Sequence, residues 1–169
     1  TTVASANGAL RRARKAVAGA LPVQSQQANL RLLGDDGVRQ IVERYIDAWE
    51  RADVDAILAL LAEDATFAMP PLPTWYRGRD VIAVFLTRFA LRDRWRLVPT
   101  RANGQLAFGA YAWVPEDGCY TPLSLDVLTL GGTIATDVTS FATPHTRGPD
   151  RERFATDVFG RFGLPARLD

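Results

Sequence analysis

The sequence has few residues of the types on which many common sites depend. Its 169 residues include one cysteine, one histidine and one methionine. A single cysteine excludes an internal disulfide and any zinc site built from several cysteines, and a single histidine excludes a histidine triad for a metal. No apolar run approaches the roughly 18–20 residues of a membrane span. We therefore expect a cytoplasmic protein that contacts no membrane, and we predict neither a metal nor a cofactor.

Charge is distributed unevenly along the chain. Residues 1–34 carry five basic and no acidic side chains, whereas the other residues carry 15 basic and 19 acidic ones. The basic residues of this arm include Arg11, Arg12, Arg14 and Lys15. They could contact DNA phosphates, or they could form a solvated helix face. The asymmetry predicts two parts with different partners.

Hydrophobic periodicity predicts three helices in the first half of the body. The first has Asp35 or Asp36 as its cap. Its apolar face consists of Val38, Ile41, Val42, Tyr45, Ile46 and Trp49, which match the helical repeat. Asp53 is expected to cap a second, short helix, whose buried side carries Val54, Ile57, Leu58 and Leu61. A third helix is predicted from Asp80 to Phe89, with Val81, Ile82, Phe85 and Phe89 as its apolar face.

Strand patterns dominate the rest of the chain. The predicted strands are Asp64–Met69, Trp95–Arg101, Gln105–Val114, Thr121–Leu130 and Thr133–Phe141. The turn pairs Asn103-Gly104, Asp117-Gly118 and Gly131-Gly132 separate the last four strands at hairpin spacing. A last short helix is expected from Asp150 to Phe159. Helices followed by an antiparallel meander predict an α+β domain in which a curved sheet wraps around the helices.

From about residue 37 to residue 141 the chain resembles the SnoaL-like branch of the nuclear-transport-factor-2-like superfamily. The similarity lies in the segments AWERADVDAILALLAEDATFAMPP, WYRGRDVIAVFL and LTLGGTIATDVTSF. The resemblance implies a cone-shaped, cystatin-like α+β barrel with a pocket inside. Its curved sheet would be antiparallel or mixed and would wrap around the N-terminal helices.

The flanking segments resemble sigma factors of the extracytoplasmic-function type. VASANGALRRARKAV is similar to the end of sigma region 4, and AMPPLPTWYRG, PTRANGQ and FGLPA are similar to segments of a subgroup with an appended SnoaL-like domain. The resemblance implies that residues 1–21 are the remnant of a region 4 recognition helix, 22–37 a linker and 38–169 the SnoaL-like domain. Through the parent factor, it implies RNA polymerase core, promoter DNA and the sigma body in cis as partners.

Ketosteroid isomerase belongs to the same superfamily, and the resemblance implies positions for its three polar groups. Its tyrosine falls on Tyr45, its oxyanion aspartate on Asp126 and its base on Met69, whose thioether cannot abstract a proton. Tyr45 could instead be a core residue, and Asp126 could face outward and meet an arginine. We therefore assign no catalytic residue. His145 is expected to be a solvated loop residue.

Large aromatic residues are candidates for the lining of the pocket, although they could simply fill the core. The pocket candidates are Tyr45, Phe67, Met69, Trp75, Tyr76, Trp95, Tyr111, Trp113, Asp126 and Phe141. These features suggest a non-catalytic domain that senses a small apolar ligand and modulates transcription initiation. One alternative is a SnoaL-type cyclase, isomerase or hydrolase that acts on a small apolar substrate through Asp126 or Asp137 with Tyr45. Another is a homodimerisation module that uses the open sheet face.

Overall fold

Three helices and one six-stranded sheet make up the body of the protein. A computed structural model describes residues 7–12, 25–143 and 152–169. The helices of the body are α1 (Gln26–Glu50), α2 (Val54–Ala59) and α3 (Arg79–Arg88). The strands are β1 (Leu61–Ala68), β2 (Trp75–Arg77), β3 (Trp95–Ala102), β4 (Gln105–Val114), β5 (Cys119–Gly131) and β6 (Ile134–Ala142). The predicted α+β class is confirmed.

The sheet is mixed and unclosed. Its strand order is β2-β1-β6-β5-β4-β3, so β2 and β3 lie at its two edges. β1 runs parallel to β6, and the other neighbouring pairs are antiparallel. The hairpin between β3 and β4 closes through Asn103 and Gly104, whose φ angles are +50° and +73°. This left-handed pair is typical of the tight turn that the sequence predicts there.

The apolar stripe of α1 faces the sheet as predicted. Ile41, Tyr45 and Trp49 are buried, and the chain leaves α1 into α2 through a capped turn. The Asp53 carboxylate accepts a hydrogen bond of 2.9 Å from the backbone N–H of Ala56, which confirms it as the cap of α2. The side of the sheet toward the helices is called the inner face below.

Helix begins earlier than the sequence indicates. The segment expected to be a linker is helical from Gln26, and a bend at Gly34 separates this first part from the rest of α1. The Gln26 side chain bonds both the N–H and the C=O of Leu130, and Asn29 Nδ2 donates to the carbonyl of Gly132 at 3.0 Å. These bonds, with the buried Leu30, fix the segment to the end of β5. Hydrophobic periodicity does not detect this helical segment, because polar side chains make much of its contact with the sheet.

Three local predictions differ from the structure. Leu61 opens β1 rather than closing α2, because the helix ends at Ala59. A short edge strand, β2, lies between the first predicted strand and the third predicted helix, where no strand was predicted. The buried face of α3 consists of Ile82, Phe85 and Leu86, whereas Val81 and Phe89 are 49% and 62% exposed. The spacing of the three buried residues places them together over the sheet, and this rotates Val81 into solvent.

The opposite side of the sheet, called the outer face, is partly covered by the C-terminal segment 152–169. Phe159 and Leu164 pack with Tyr111, Tyr120 and Leu125 in a second apolar cluster. The predicted last helix, described from residue 152 onward, is helical there, but with π geometry over Phe154–Val158 and 3₁₀ geometry over Phe159–Phe162. The open sheet face that a dimerisation module would use is therefore occupied in part by the chain itself.

Candidate functional site

A cavity of about 200 Å³ lies between the inner face and the helices. The lining residues come from α1, α3, the segment after α3 and four strands; they are Trp49, Phe67, Met69, Phe85, Phe89, Ala90, Asp93, Trp95, Leu123, Ser124, Asp126, Ser140 and Ala142. Phe89 and Asp93 are exposed and mark the mouth. Asp126 is only 3% exposed and marks the inner end. The cavity thus runs from an aromatic mouth to a buried carboxyl group.

Asp126 is the most unusual group in the cavity, because an apolar strand places its carboxyl on the inner face. The Ser124 hydroxyl donates to Asp126 Oδ1 at 2.8 Å. Ser140 lies directly opposite Asp126 in the β5–β6 register and also favours its ionised form by hydrogen bonding. Burial outweighs both hydroxyl groups and raises the pKa of Asp126 from 3.8 to about 6. The carboxyl group can therefore change its charge in the mildly acidic range.

Two buried groups near this carboxyl group, the hydroxyl of Tyr45 and Nε1 of Trp49, make no hydrogen bond of good geometry among the described residues. The Trp49 side chain nevertheless lies close enough to Tyr45 to favour the ionised form of that hydroxyl, against the larger effect of burial. Tyr45 stacks on Phe108 with ring centroids 4.5 Å apart. Its pKa lies well above the usual value because the ring is buried and, secondarily, because the charge of Asp126 opposes ionisation. A buried polar atom without a partner costs free energy. Trp49 lines the cavity, so a ligand or water there would satisfy its Nε1, whereas Tyr45 lies outside the lining.

The cavity wall has acidic groups but no basic one among the described residues. Asp93 and Asp126 are its only ionisable lining residues in the described part of the chain. Met69 lies just beyond the end of β1 and places its thioether on the same wall. A thioether can pack against a ligand but cannot take its proton. Any acid–base chemistry in this cavity would have to use Asp126 or Asp93.

The structure separates the predicted pocket residues into two groups. Phe67, Met69, Trp95 and Asp126 line the cavity. The other six, which lie outside its lining, are Tyr45, Trp75, Tyr76, Tyr111, Trp113 and Phe141. Tyr45 is a core residue and Tyr76 stacks on Phe85 behind the wall.

The remaining four of these residues lie away from the cavity. Tyr111 belongs to the outer-face cluster and donates from its hydroxyl to the carbonyl of Pro165 at 2.8 Å. Trp113 packs edge-on against Tyr120, with the guanidinium of Arg94 over its ring. Trp75 and Phe141 are 63% and 45% exposed.

Other candidate residues lie outside the cavity or outside the described residues. Asp137 does not line the cavity and accepts a hydrogen bond from the Thr136 hydroxyl at 2.9 Å. Arg11 and Arg12 are exposed on a helical segment, residues 7–12. Arg14, Lys15 and His145 lie outside the described residues.

Sequence reasoning missed several cavity residues that the structure brings together. Ser124 and Asp126 alternate on β5 and so share one face, and Ser140 joins them through the hairpin register. That two-residue spacing was a usable signal for the pair. Phe89 and Asp93 reach the mouth only through the turn that follows α3, which no sequence pattern indicated.

The described residues contain no group of three or more histidine, cysteine, aspartate or glutamate side chains able to hold a metal ion. None of the helices in the described part of the chain is both long and apolar enough to cross a membrane.

Comparison with known proteins links the chain to a sigma factor. It is 28% identical over 174 residues to the extracytoplasmic-function RNA polymerase sigma factor SigG of Mycobacterium tuberculosis. The match covers 99% of this chain and 42% of SigG, so the chain spans less than half the length of that relative.

Solved structures share the fold at low identity. An NTF-2-like protein of unknown function from Burkholderia xenovorans is 12% identical with a TM-score of 0.56, covering 69% of this chain and 91% of its own. A candidate ketosteroid isomerase from Kribbella flavida is 20% identical with a TM-score of 0.51, covering 66% and 81%. At these identities the likeness concerns the fold alone.

The sequence profile that describes the SnoaL-like domain matches residues 42–159. The matched range runs from α1 through all six strands to the C-terminal turns, and it includes every residue that lines the cavity. The chain belongs to the SnoaL-like domain family.

Proposed function

We propose that this chain is a non-catalytic regulatory domain of an extracytoplasmic-function sigma factor and that its cavity binds a small, mainly apolar molecule. The observation that carries the proposal is the thioether of Met69 on the cavity wall. The resemblance to ketosteroid isomerase puts the proton-abstracting base at that position, and a thioether cannot serve as one. An aromatic cavity without that base is suited to recognition.

The sigma-factor part of the proposal is supported by similarity to SigG along nearly the whole chain. In the proposed organisation, residues 1–21 end sigma region 4, 22–37 form the linker and 38–169 form the sensing domain. The parent factor would engage RNA polymerase core and promoter DNA in the cytoplasm. The bonds of Gln26 and Asn29 to the β5–β6 hairpin fix the linker to the domain, so a change in the domain could reach the sigma body in cis.

Two changes to the parent factor test this proposal. Deletion of residues 38–169 should alter promoter-specific transcription, measured with a reporter in cells that express the factor. Ala90→Trp should do the same, because the indole would fill the mouth of the cavity. Val84→Trp is the matched control, since Val84 is 52% exposed on α3 and lies outside the cavity lining. Unchanged transcription after the deletion would remove the regulatory proposal.

An enzyme is the second candidate, and the inward, buried carboxyl of Asp126 favours it. Its raised pKa is the kind of perturbation found in general acids and bases. A SnoaL-type cyclase, isomerase or hydrolase could use Asp126 beside Tyr45, whereas Asp137 lies outside the cavity lining. Deuterium exchange next to the carbonyl of a small cyclic ketone, followed by NMR, separates the two candidates. Exchange that Asp126→Asn abolishes would favour the enzyme.

A further inference from the structure

We propose that the cavity selects a small organic cation, namely a single-ring or short-chain amine whose ammonium group reaches Asp126. This inference rests on the proposed function, because it names the ligand class of the sensing cavity. Three features of the described residues lead to it: a buried carboxylate, an aromatic wall and the lack of a basic side chain on that wall.

The carboxyl group of Asp126 lies at the buried end of the cavity. Above pH 6 Asp126 is mainly ionised, yet it is 3% exposed, and its hydrogen-bond partners among the described residues are the neutral hydroxyl groups of Ser124 and Ser140. A buried charge is costly unless an opposite charge compensates it. None of the described residues that line the cavity supplies a positive charge. A ligand that brings an ammonium group would supply it, and its N–H groups would find carboxylate and hydroxyl oxygens as acceptors.

The aromatic wall supports the same ligand class. Trp49 and Trp95 lie edge to face with centroids 5.8 Å apart, and Phe67 and Phe85 lie 5.3 Å apart. All four residues line the cavity. The faces of such rings attract organic cations, most strongly when water is excluded. The aromatic rings would therefore favour binding of an amine along the cavity, in addition to the attraction of Asp126 at its inner end.

A second carboxylate of the cavity supports the same ligand class. At the mouth, the exposed carboxylate of Asp93 gives the entrance the same sign of charge. Electrostatic attraction thus acts on a cation from entry to binding.

The size of the cavity limits the ligand. Its volume of about 200 Å³ is below the roughly 300–1,000 Å³ of sites for drug-sized molecules. One ring with a short aminoalkyl arm is the scale that fits. A fused-ring steroid would need a larger space.

The test compares two probes of the same shape, 2-phenylethylamine and its neutral counterpart 2-phenylethanol, titrated into the 169-residue chain by calorimetry at pH 7.5. The amine should bind at least about tenfold more tightly, a difference of about 1.4 kcal/mol. Asp126→Asn should abolish that preference. Asp137→Asn is the matched control, because it removes a carboxylate of the same hairpin that lies outside the cavity lining.

The pH profile of the unchanged chain provides a test that needs no variant. Because the amine stays protonated below about pH 9, its affinity should fall as Asp126 gains a proton below about pH 6. Equal affinity for the two probes, binding of neither at millimolar concentration, or amine affinity that is unchanged between pH 5 and pH 8 would overturn the proposal. A protonated Asp126 that donates to a neutral ligand would give the opposite profile, with tighter binding of the alcohol at low pH.

These outcomes are separate from the test of regulation. Calorimetry reports on the cavity, whereas the deletion in the parent factor reports on transcription. A chain that fails to bind the amine but whose deletion alters transcription would retain the regulatory role and lose this ligand class.

Discussion

At the scale of single residues, the burial of one carboxyl group couples the stability of the domain to pH. The pKa of Asp126 is about 6 in the folded chain, against the ordinary value of 3.8 that an exposed aspartate has. The folded state therefore holds the proton more tightly, and stability falls as pH rises from about 4 to about 6. Below about pH 4 the carboxyl group is protonated in both states, so burial of a charge costs nothing. Above about pH 6 it is ionised in both states, and the full cost of burying the charge applies. A rise in pKa from 3.8 to about 6 corresponds to a free-energy cost of roughly 3 kcal/mol for the ionised form.

We expect Asp126→Asn to raise the free energy of unfolding at pH 8 by about 1–3 kcal/mol, because the amide carries no charge to bury. The gain should shrink below pH 6 and vanish near pH 4. Urea unfolding of the parent and the variant across this pH range measures the difference between their free energies of unfolding. The other titrating groups are the same in both chains, so their contributions cancel. A variant that is less stable than the parent at pH 8 would show that the hydroxyl bonds outweigh burial.

Two of the buried tyrosines, Tyr45 and Tyr111, are expected to respond in opposite ways to loss of the hydroxyl. The Tyr45 hydroxyl has no partner among the described residues, so Tyr45→Phe should stabilise the chain by about 1 kcal/mol. The Tyr111 hydroxyl donates to Pro165, so Tyr111→Phe should destabilise it by a similar amount. Thermal unfolding of the two variants is the measurement. Equal destabilisation by both would mean that a bound water or ligand satisfies Tyr45.

At the scale of elements, the contact between β4 and the C-terminal segment depends on a glycine. A Cβ atom at Gly109 would lie 2.8 Å from Leu164 Cδ1 and 3.0 Å from Phe159 Cε1. Real Cβ atoms almost never show a contact of 2.8 Å, so the buried side chains of Leu164 and Phe159 would have to shift. The outer face and the C-terminal turns are therefore fitted to one another at this point.

Gly109→Ala should destabilise the chain by about 1–3 kcal/mol, as expected for overpacking. The loss should be accompanied by faster amide hydrogen exchange in residues 159–164. Gly160→Ala is the control, because nothing lies within 4 Å of a Cβ atom built there. If both variants unfold at the same urea concentration, the close packing of the segment on β4 is contradicted.

At the scale of the whole molecule, the C-terminal segment decides how much of the sheet is available to a partner. It buries Tyr111, Tyr120 and Leu125 on the outer face. Large exposed apolar patches commonly pair with another surface. These side chains of the outer face would become available to a partner only if the C-terminal segment detached from the sheet.

Removal of residues 152–169 should convert the chain to a dimer that pairs through the outer face. Light scattering over a range of concentrations measures the mass, and circular dichroism shows whether the truncated chain is folded. The intact chain is the control and should have a lower mass at each concentration. A folded, truncated chain that stays monomeric would contradict this prediction.

Much of the fold could be predicted because its signals are local. The helical repeat of Ile41, Tyr45 and Trp49, the cap at Asp53 and the turn at Asn103-Gly104 each depend on neighbours within a few residues. Such short-range preferences act before any tertiary contact exists. The three helices and five of the six strands follow from them, and only the short edge strand β2 does not.

Local sequence patterns account for most of the elements and for the turn at Asn103-Gly104, whereas the direction in which Asp126 points depends on the assembled sheet. Leu125 and Val127 lie on the outer face and Leu128 on the inner face, and all are buried because both faces are covered. A strand that is apolar on both sides has no alternation from which to read direction. The register of β5 against β4 and β6 settles it, and the cavity exists because distant segments bring their side chains to that carboxyl group.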